Sequence, residues 1–280
     1  MINILILSVG SRNKIVQYFR RELSNKGNII AADQSPYAPA LYEANKAVIT
    51  PSINQSEYLN AILKICLENR VSAVLSLIDP ELSIIAQKKR LFNEINVKVL
   101  VPDSELVNMS HDKYQMYRFL KDNGFKTPIT YLSKEECLEA LKEEQVQYPL
   151  FIKPRKGSAS QNIGMVNNRY ELDYYSDKHP DLIFQEYMNG PEYGVDVYSD
   201  MISGDIISIF LKEKLRMRAG ETDKSVSVID EKCNEIIETF INTAGYRGVI
   251  DIDIFKVRSE FYISEVNPRF GGGYPHAYEC

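Results

Sequence analysis

The chain has 280 residues, with 33 Lys+Arg against 38 Asp+Glu for a net charge of −5; 44% of residues are hydrophobic and 25% charged. That length accommodates one elaborate domain or two to three small ones, and the balance is that of a globular protein with a real core. A mildly acidic chain without a basic cluster disfavours a non-specific nucleic-acid binder. Apolar runs such as Ile4-Leu5-Ile6-Leu7 fall far short of the ~20 residues of a membrane helix.

Residues 2–9 read as a buried strand ended by Gly10-Ser11-Arg12, followed by a helix with apolar positions at Ile15, Val16, Phe19 and Leu23. A second strand over 29–32 closes on Asp33. A helix over 58–69 leads into a strand over 73–78, then Asp79-Pro80-Glu81, another helix and a strand over 97–101. Strands alternating with helices predict a parallel sheet covered on both faces, with function at the carboxyl ends of its strands. A dinucleotide fold would need GxGxxG, whereas this turn reads Ser8-Val9-Gly10-Ser11-Arg12-Asn13. Asp33 is compatible with ribose binding, and Arg12, Asp33 and Asp79 are candidates to line a cleft.

Near Pro102 the texture changes. Ser110 is expected to cap a helix with the stripe Met116, Phe119, Leu120, stopping at Gly124. A strand over 150–153 meets the loop Arg155-Lys156-Gly157-Ser158-Ala159-Ser160-Gln161-Asn162-Ile163-Gly164, then a short strand at Met165-Val166. This is no Walker loop, but its amides with Lys153, Arg155 and Lys156 suit a flap over phosphates; the plain alternative is an exposed hairpin. Next come Gln185-Glu186-Tyr187-Met188, Glu192, an alternating strand over 195–199, a strand over 205–211 and a helix over 231–244. Lys214-Leu215-Arg216-Met217-Arg218-Ala219-Gly220-Glu221 reads as a cationic loop, with Arg216 and then Arg218 placed to bind a substrate carboxylate; a charged surface loop is the alternative.

The last two strands carry the strongest signal. In Val249-Ile250-Asp251-Ile252-Asp253-Ile254 a period of two puts both aspartates on one face, and Glu265 and Asn267 share a face of the following strand. A turn centred on Ser259 sets Asp253 opposite Glu265 and Asp251 opposite Asn267. Oxygen ligands gathered in this way suit Mg²⁺ or Mn²⁺ bridging phosphates; otherwise the feature is a solvated acidic face. Arg269 and Gly271-Gly272-Gly273 follow directly and suit close approach of an anion.

The cysteines Cys66, Cys137, Cys233 and Cys280 form no CxxC pair, as expected of reduced thiols in a cytoplasmic protein. His111, His179 and His276 are scattered and predict no zinc site. No GxSxG elbow supports a Ser/His/Asp hydrolase, and no secretion signal opens the chain.

In order and spacing, Lys113, Lys153 with its glycine/serine flap, Glu186-Tyr187-Met188, Glu192, Asp253 and Glu265-x-Asn267-x-Arg269 resemble the ATP-grasp superfamily, and within it single-module proteins related to the carbamoyl-phosphate synthase large subunit. The resemblance runs from the first strand to Gly273. It implies an α/β ATP-grasp fold: an N-terminal Rossmann-like parallel α/β domain (1–109), a small α+β lid subdomain with the flap (110–184) and a C-terminal antiparallel α+β domain (185–280). Relatives continue past the glycine run, so this last part is expected to be truncated. The resemblance further implies that Lys113, Lys153 and Ser158 of the flap contact ATP phosphates. Glu186, Tyr187 and Met188 would read adenine, and Glu192 would hold the ribose. Asp253, Glu265 and Asn267 would ligate Mg²⁺ (or Mn²⁺), and Arg269, with Asn267 and Arg216, would act at the reacting groups.

The implied activity is ATP-dependent ligation: a carboxylate (or bicarbonate) is activated as an acyl-phosphate and attacked by an amine or similar nucleophile. Small-molecule carboxylates and amines would be the partners, without nucleic acid or membrane, with a homodimer as the assembly considered. Asp251 departs from the basic or amide residue that related ligases often carry there. An ATP-binding regulatory or accessory module without turnover is the competing reading.

Overall fold

The computed structural model describes residues 1–157, 164–218 and 220–280. In chain order the elements are β1 (Ile2–Leu7), α1 (Asn13–Leu23), β2 (Gly27–Asp33), β3 (Lys46–Ile49), α2 (Tyr58–Glu68), β4 (Ala73–Ser76), α3 (Asp79–Gln87), α4 (Lys89–Glu94), β5 (Lys98–Val99) and α5 (Ser104–His111). They are followed by α6 (Lys113–Asp122), β6 (Thr130–Tyr131), α7 (Lys134–Lys142), β7 (Leu150–Pro154), β8 (Gly164–Val166), α8 (Arg169–Lys178), β9 (Leu182–Glu186) and β10 (Glu192–Ser199). The last are β11 (Ile206–Arg218), β12 (Glu221–Val228), α9 (Glu231–Ala244), β13 (Gly248–Val257), β14 (Glu260–Asn267) and α10 (Tyr274–Glu279). Two compact units result, Met1–Val107 with Tyr278–Cys280, and Asn108–Ala277.

In the first unit the fully buried run Leu5-Ile6-Leu7 makes β1 the middle strand of a parallel sheet ordered β3-β2-β1-β4-β5. A continuous apolar strand is what a sheet covered on both faces requires. Strand order reverses between β1 and β4, and polar groups gather just beyond those strands. Asp33 accepts from the Gly10 amide at 2.8 Å and the Ser35 amide at 2.9 Å, so its carboxylate holds the local turn. Glu81 is buried and accepts from Ser8, Tyr58 and Ser76; burial pushes its pKa up, while the hydroxyls oppose the shift.

The second unit holds a four-stranded sheet, β6-β9-β7-β8, and a five-stranded antiparallel sheet, β12-β11-β10-β13-β14. On β13, Ile250, Ile252 and Ile254 are fully buried, leaving Asp251 and Asp253 on the other face. α9 buries Ile237, Phe240 and Ile241, with Phe119, Phe125 and Tyr246 around Phe240. The smaller sheet packs Leu150, Ile152 and Phe184 with Cys137 and Ala140 of α7 and Leu172 of α8.

Two local expectations are corrected. The cap of α6 is Asp112, whose carboxylate accepts from the Tyr114 and Gln115 amides, whereas Ser110 lies within α5 and bonds the Tyr246 hydroxyl at 2.5 Å. The strand expected over 205–211 runs to Arg218, so the supposed cationic loop is mostly the outer half of β11. It pairs with β12, whose sequence ETDKSVSV offers no apolar run to announce it.

Candidate active site

Strand register assembles this site. Lys212, Gly194, Asp253 and Glu265 form one row across β11, β10, β13 and β14; Phe210, Asp196, Asp251 and Asn267 form the next. The pairings expected from counting, Asp253 with Glu265 and Asp251 with Asn267, are those observed, but the turn is not centred on Ser259: Val257 pairs with Glu260, and a bulge between Asp253 and Ile254 shifts the register by one to give these pairs. Side chains in one row of an antiparallel ladder stand ~4.5–5.5 Å apart at Cβ, so the carboxylates need counter-charges, and lysines provide them.

Lys113 and Lys153 arrive from different elements, the first turn of α6 and β7. The Lys113 ammonium lies 3.9 Å from Glu265 Oε1 and that of Lys153 3.6 Å from Glu265 Oε2. Lys113 also donates to the Gly157 carbonyl at 2.6 Å. Lys153 is buried, which lowers its pKa, with Glu265 acting in the opposite direction. Lys214 donates to Glu192 Oε1 at 2.7 Å and to Asp253. Burial opposes its charge, but Asp253 and Glu192 prevail and hold its pKa above the usual lysine range. Lys212 and Asp196 form a fully buried pair. Burial, then Asp253 and Asp196, push the Asp251 carboxyl up to about 7 against the pull of Lys214 and Arg269.

Gly194 makes this lysine traffic feasible. A Cβ there would stand 3.1 Å from Lys212 Cε and 3.3 Å from Lys214 Cε. Gly194→Val is therefore expected to push both stems aside and destabilise the fold by ~1–3 kcal/mol, read as a lower urea midpoint.

The other candidate residues are distributed as follows. Glu186 ends β9, its carboxylate accepting from the Ile129 amide at 3.2 Å. Tyr187 after it is exposed and Met188 buried. Ser158 lies outside the described residues. Arg155, expected at phosphates, clamps Asp112 through Nε at 2.9 Å to both carboxylate oxygens, tying the end of β7 to the α6 cap. Arg269 donates to the Phe270 carbonyl at 3.1 Å. Arg216 is held by Asp223 across the β11–β12 hairpin with its side chain 56% exposed. The structure thus gathers Lys113 and Lys153 on Glu265, and Glu192 and Asp253 on Lys214, the two groups set side by side by the pairing of Asp253 with Glu265, while Arg216 pairs away from them.

The glycine run answers to the chain itself. A Cβ on Gly271 would lie 2.4 Å from the Asp251 carboxyl carbon, one on Gly272 3.0 Å from Glu221 and one on Gly273 3.0 Å from the Lys212 ammonium. These glycines let the tail close over the charged face, where the sequence had suggested an anion.

Among the described residues, no three His, Cys, Asp or Glu side chains form a metal cage. Mg²⁺ seldom needs one, because it binds through one or two carboxylates plus substrate phosphates. Asp253 and Glu265 with the Asn267 amide supply such a donor set, beside lysines suited to phosphate. The residues fit the ion. Lys212, Lys214, Asp196 and the Asp112–Arg155 clamp were missed from sequence; period-two alternation continued through 214 would have found both lysines.

A family model described as PylC-like, N-terminal domain matches residues 4–100, and one described as ATP-grasp domain matches 110–273. The carbamoyl phosphate synthase large chain of Campylobacter jejuni is 28% identical over 201 residues, 65% of this chain and 18% of that protein. The chain thus spans about a fifth of that relative's length. The N5-carboxyaminoimidazole synthetase of Staphylococcus aureus, complexed with ADP, superposes with a TM-score of 0.80 at 18% identity, covering 99% of this chain and 73% of that one. The biotin carboxylase domain dimer of Hydrogenobacter thermophilus 2-oxoglutarate carboxylase, with MgADP and bicarbonate, gives 0.77 at 18% identity, covering 98% and 65%.

Proposed function

This chain belongs to the ATP-grasp family, and from that premise we propose that it is an ATP-dependent, ADP-forming carboxylate–amine ligase. A substrate carboxylate (or bicarbonate) attacks the γ-phosphorus, forming an acyl-phosphate and releasing ADP. An amine then attacks the acyl carbon, releasing inorganic phosphate and a proton. The observation that carries this reading is the convergence of Lys113 and Lys153 on Glu265, directly opposite Asp253. The neighbours described with ADP, MgADP and bicarbonate support it.

Phosphoryl transfer of this kind depends on positioning and charge neutralisation more than on a covalent nucleophile. Lys113 and Lys153 hold the phosphates beneath the flap that includes Ser158. The backbone of Glu186, Tyr187 and Met188 receives adenine, and Glu192 the ribose hydroxyls. Asp253, Glu265 and Asn267 hold Mg²⁺ (or Mn²⁺), which supplies charge neutralisation when bound. Arg269 with Asn267 faces the transferring group, and Arg216 takes the substrate carboxylate after leaving Asp223. Residues 110–184 serve as lid and 185–280 as the metal-bearing part. Partners are small carboxylates and amines, without nucleic acid; among the described residues no helix is long and apolar enough to cross a membrane. A homodimer and a cytoplasmic location complete the proposal, the latter supported by the free thiols.

The test is Mg²⁺-dependent ADP release with hydroxylamine present and pools of amino acids and other carboxylates added. Hydroxamate formed with one pool identifies acyl-phosphate chemistry and its substrate class. ATP binding without ADP release would favour the accessory module.

A further inference from the structure

Lys214 heads the stretch that the sequence offered as a substrate-binding loop, where Arg216 and Arg218 were given the role, yet it is Lys214 that sits between two ends of the site. Its ammonium bonds both Glu192, assigned above to ribose, and Asp253, assigned to the metal. Its side chain is 6% exposed, and the missing side chain of Gly194 leaves the channel through which its stem crosses β10. A charge so enclosed exchanges protein partners for other anions more readily than for water. Asp253 cannot give its full charge to a divalent cation while bonded to a lysine, and the remaining partner of that lysine is the carboxylate at the ribose end.

We propose that Lys214 is a positioning residue that couples the nucleotide and metal ends of the site: it competes with the divalent cation for Asp253, and its release toward Glu192 and the phosphates makes metal and nucleotide binding interdependent. This rests on the ligase reading above. Glu192 restrains Lys214 on one side and Asp253 on the other, so the substitutions act with opposite sign. Removing the ammonium (Lys214→Met) removes a competitor from Asp253 and should tighten the affinity for Mn²⁺ alone. Removing the second anchor (Glu192→Gln) leaves the ammonium wholly to Asp253 and should weaken it. Coupling free energies between linked sites commonly correspond to ~5–150-fold in affinity, and a change of about tenfold in each direction is expected.

The experiment titrates the full chain with Mn²⁺ by electron paramagnetic resonance, with and without ADP, in wild type, Lys214→Met, Lys214→Arg and Glu192→Gln. Expected are tighter Mn²⁺ binding in Lys214→Met, weaker binding in Glu192→Gln and near wild-type behaviour in Lys214→Arg. The gain in Mn²⁺ affinity caused by ADP should shrink in Lys214→Met. Should Lys214→Met fail to fold, the direction of the Glu192→Gln change decides alone. Mn²⁺ affinity unchanged in both variants, or moved the same way, overturns the role of Lys214 while leaving the ligase reading intact. No Mn²⁺ binding by wild type, with or without ADP, overturns both.

Discussion

Glu265→Gln is expected to lower turnover by at least ~10²–10³-fold, the scale seen when one well-placed electrostatic group is removed from a phosphoryl- or acyl-transfer site. The substitution is nearly isosteric and Glu265 is only partly buried, so folding should survive. The charge, however, has three dependants: Lys113 and Lys153, both within 4 Å, and the cation it would share with Asp253. Lys153 is the most exposed to the loss in an energetic sense, being the most deeply buried. Its pKa is already lowered by burial and is supported chiefly by Glu265. Without that carboxylate it falls further, so residual activity that needs a charged Lys153 should decline at lower pH than in wild type as pH is raised. The measurement is a pH series of Mg²⁺-dependent ADP release, paired with direct ATP binding, which should be weakened but present. Full activity in the variant would end the metal and phosphate assignments together.

The features legible in the sequence were those governed by short-range periodicity. Alternation over 249–254 put both aspartates on one face, and counting gave the observed pairing of Asp253 with Glu265 and Asp251 with Asn267, but a bulge between Asp253 and Ile254, which counting does not see, is what offsets a turn closing at Val257 and Glu260 and restores that register. The N-terminal parallel sheet was equally visible, because strands buried on both faces are written as apolar runs. Segments whose order comes from pairing were less visible. β12 is polar and mostly exposed, and is a strand because β11 binds it. α8 buries a single residue, Leu172. The same limit applied inside the site. Arg155 and Arg216 look like anion receptors in sequence, but Asp112 and Asp223 reach them first. Lys214 lay in what read as a loop, and its two carboxylate partners are 22 and 39 residues away. The glycine run suggested a ligand, and the structure fills the space with Asp251, Glu221 and Lys212.

Lys212→Met should produce the largest loss of stability in the second unit, ~3–5 kcal/mol, because it leaves a buried carboxylate without its partner. Both side chains are out of water, Lys212 at 1% and Asp196 at 3% exposure, and Asp196 Oδ1 already lacks a hydrogen bond within the described residues. Burial raises the pKa of Asp196 even with Lys212 beside it; removing the ammonium raises it further. A carboxyl whose folded pKa lies above its unfolded value binds a proton in the native state that the unfolded chain has released, so the folded state loses relative stability as pH rises through that window. The penalty of Lys212→Met should accordingly be greatest at alkaline pH and shrink as pH falls toward the unfolded carboxyl value of ~3.9. Lys212→Met combined with Asp196→Leu should recover most of the loss, since replacing both members of a buried ion pair by apolar groups is often neutral or stabilising. Urea midpoints at pH 8 and pH 5 for the wild type, the single variant and the pair decide the matter. A pH-independent loss, or a double variant no better than the single one, would mean that Lys212 contributes through the packing of its stem over Gly194 rather than through its charge.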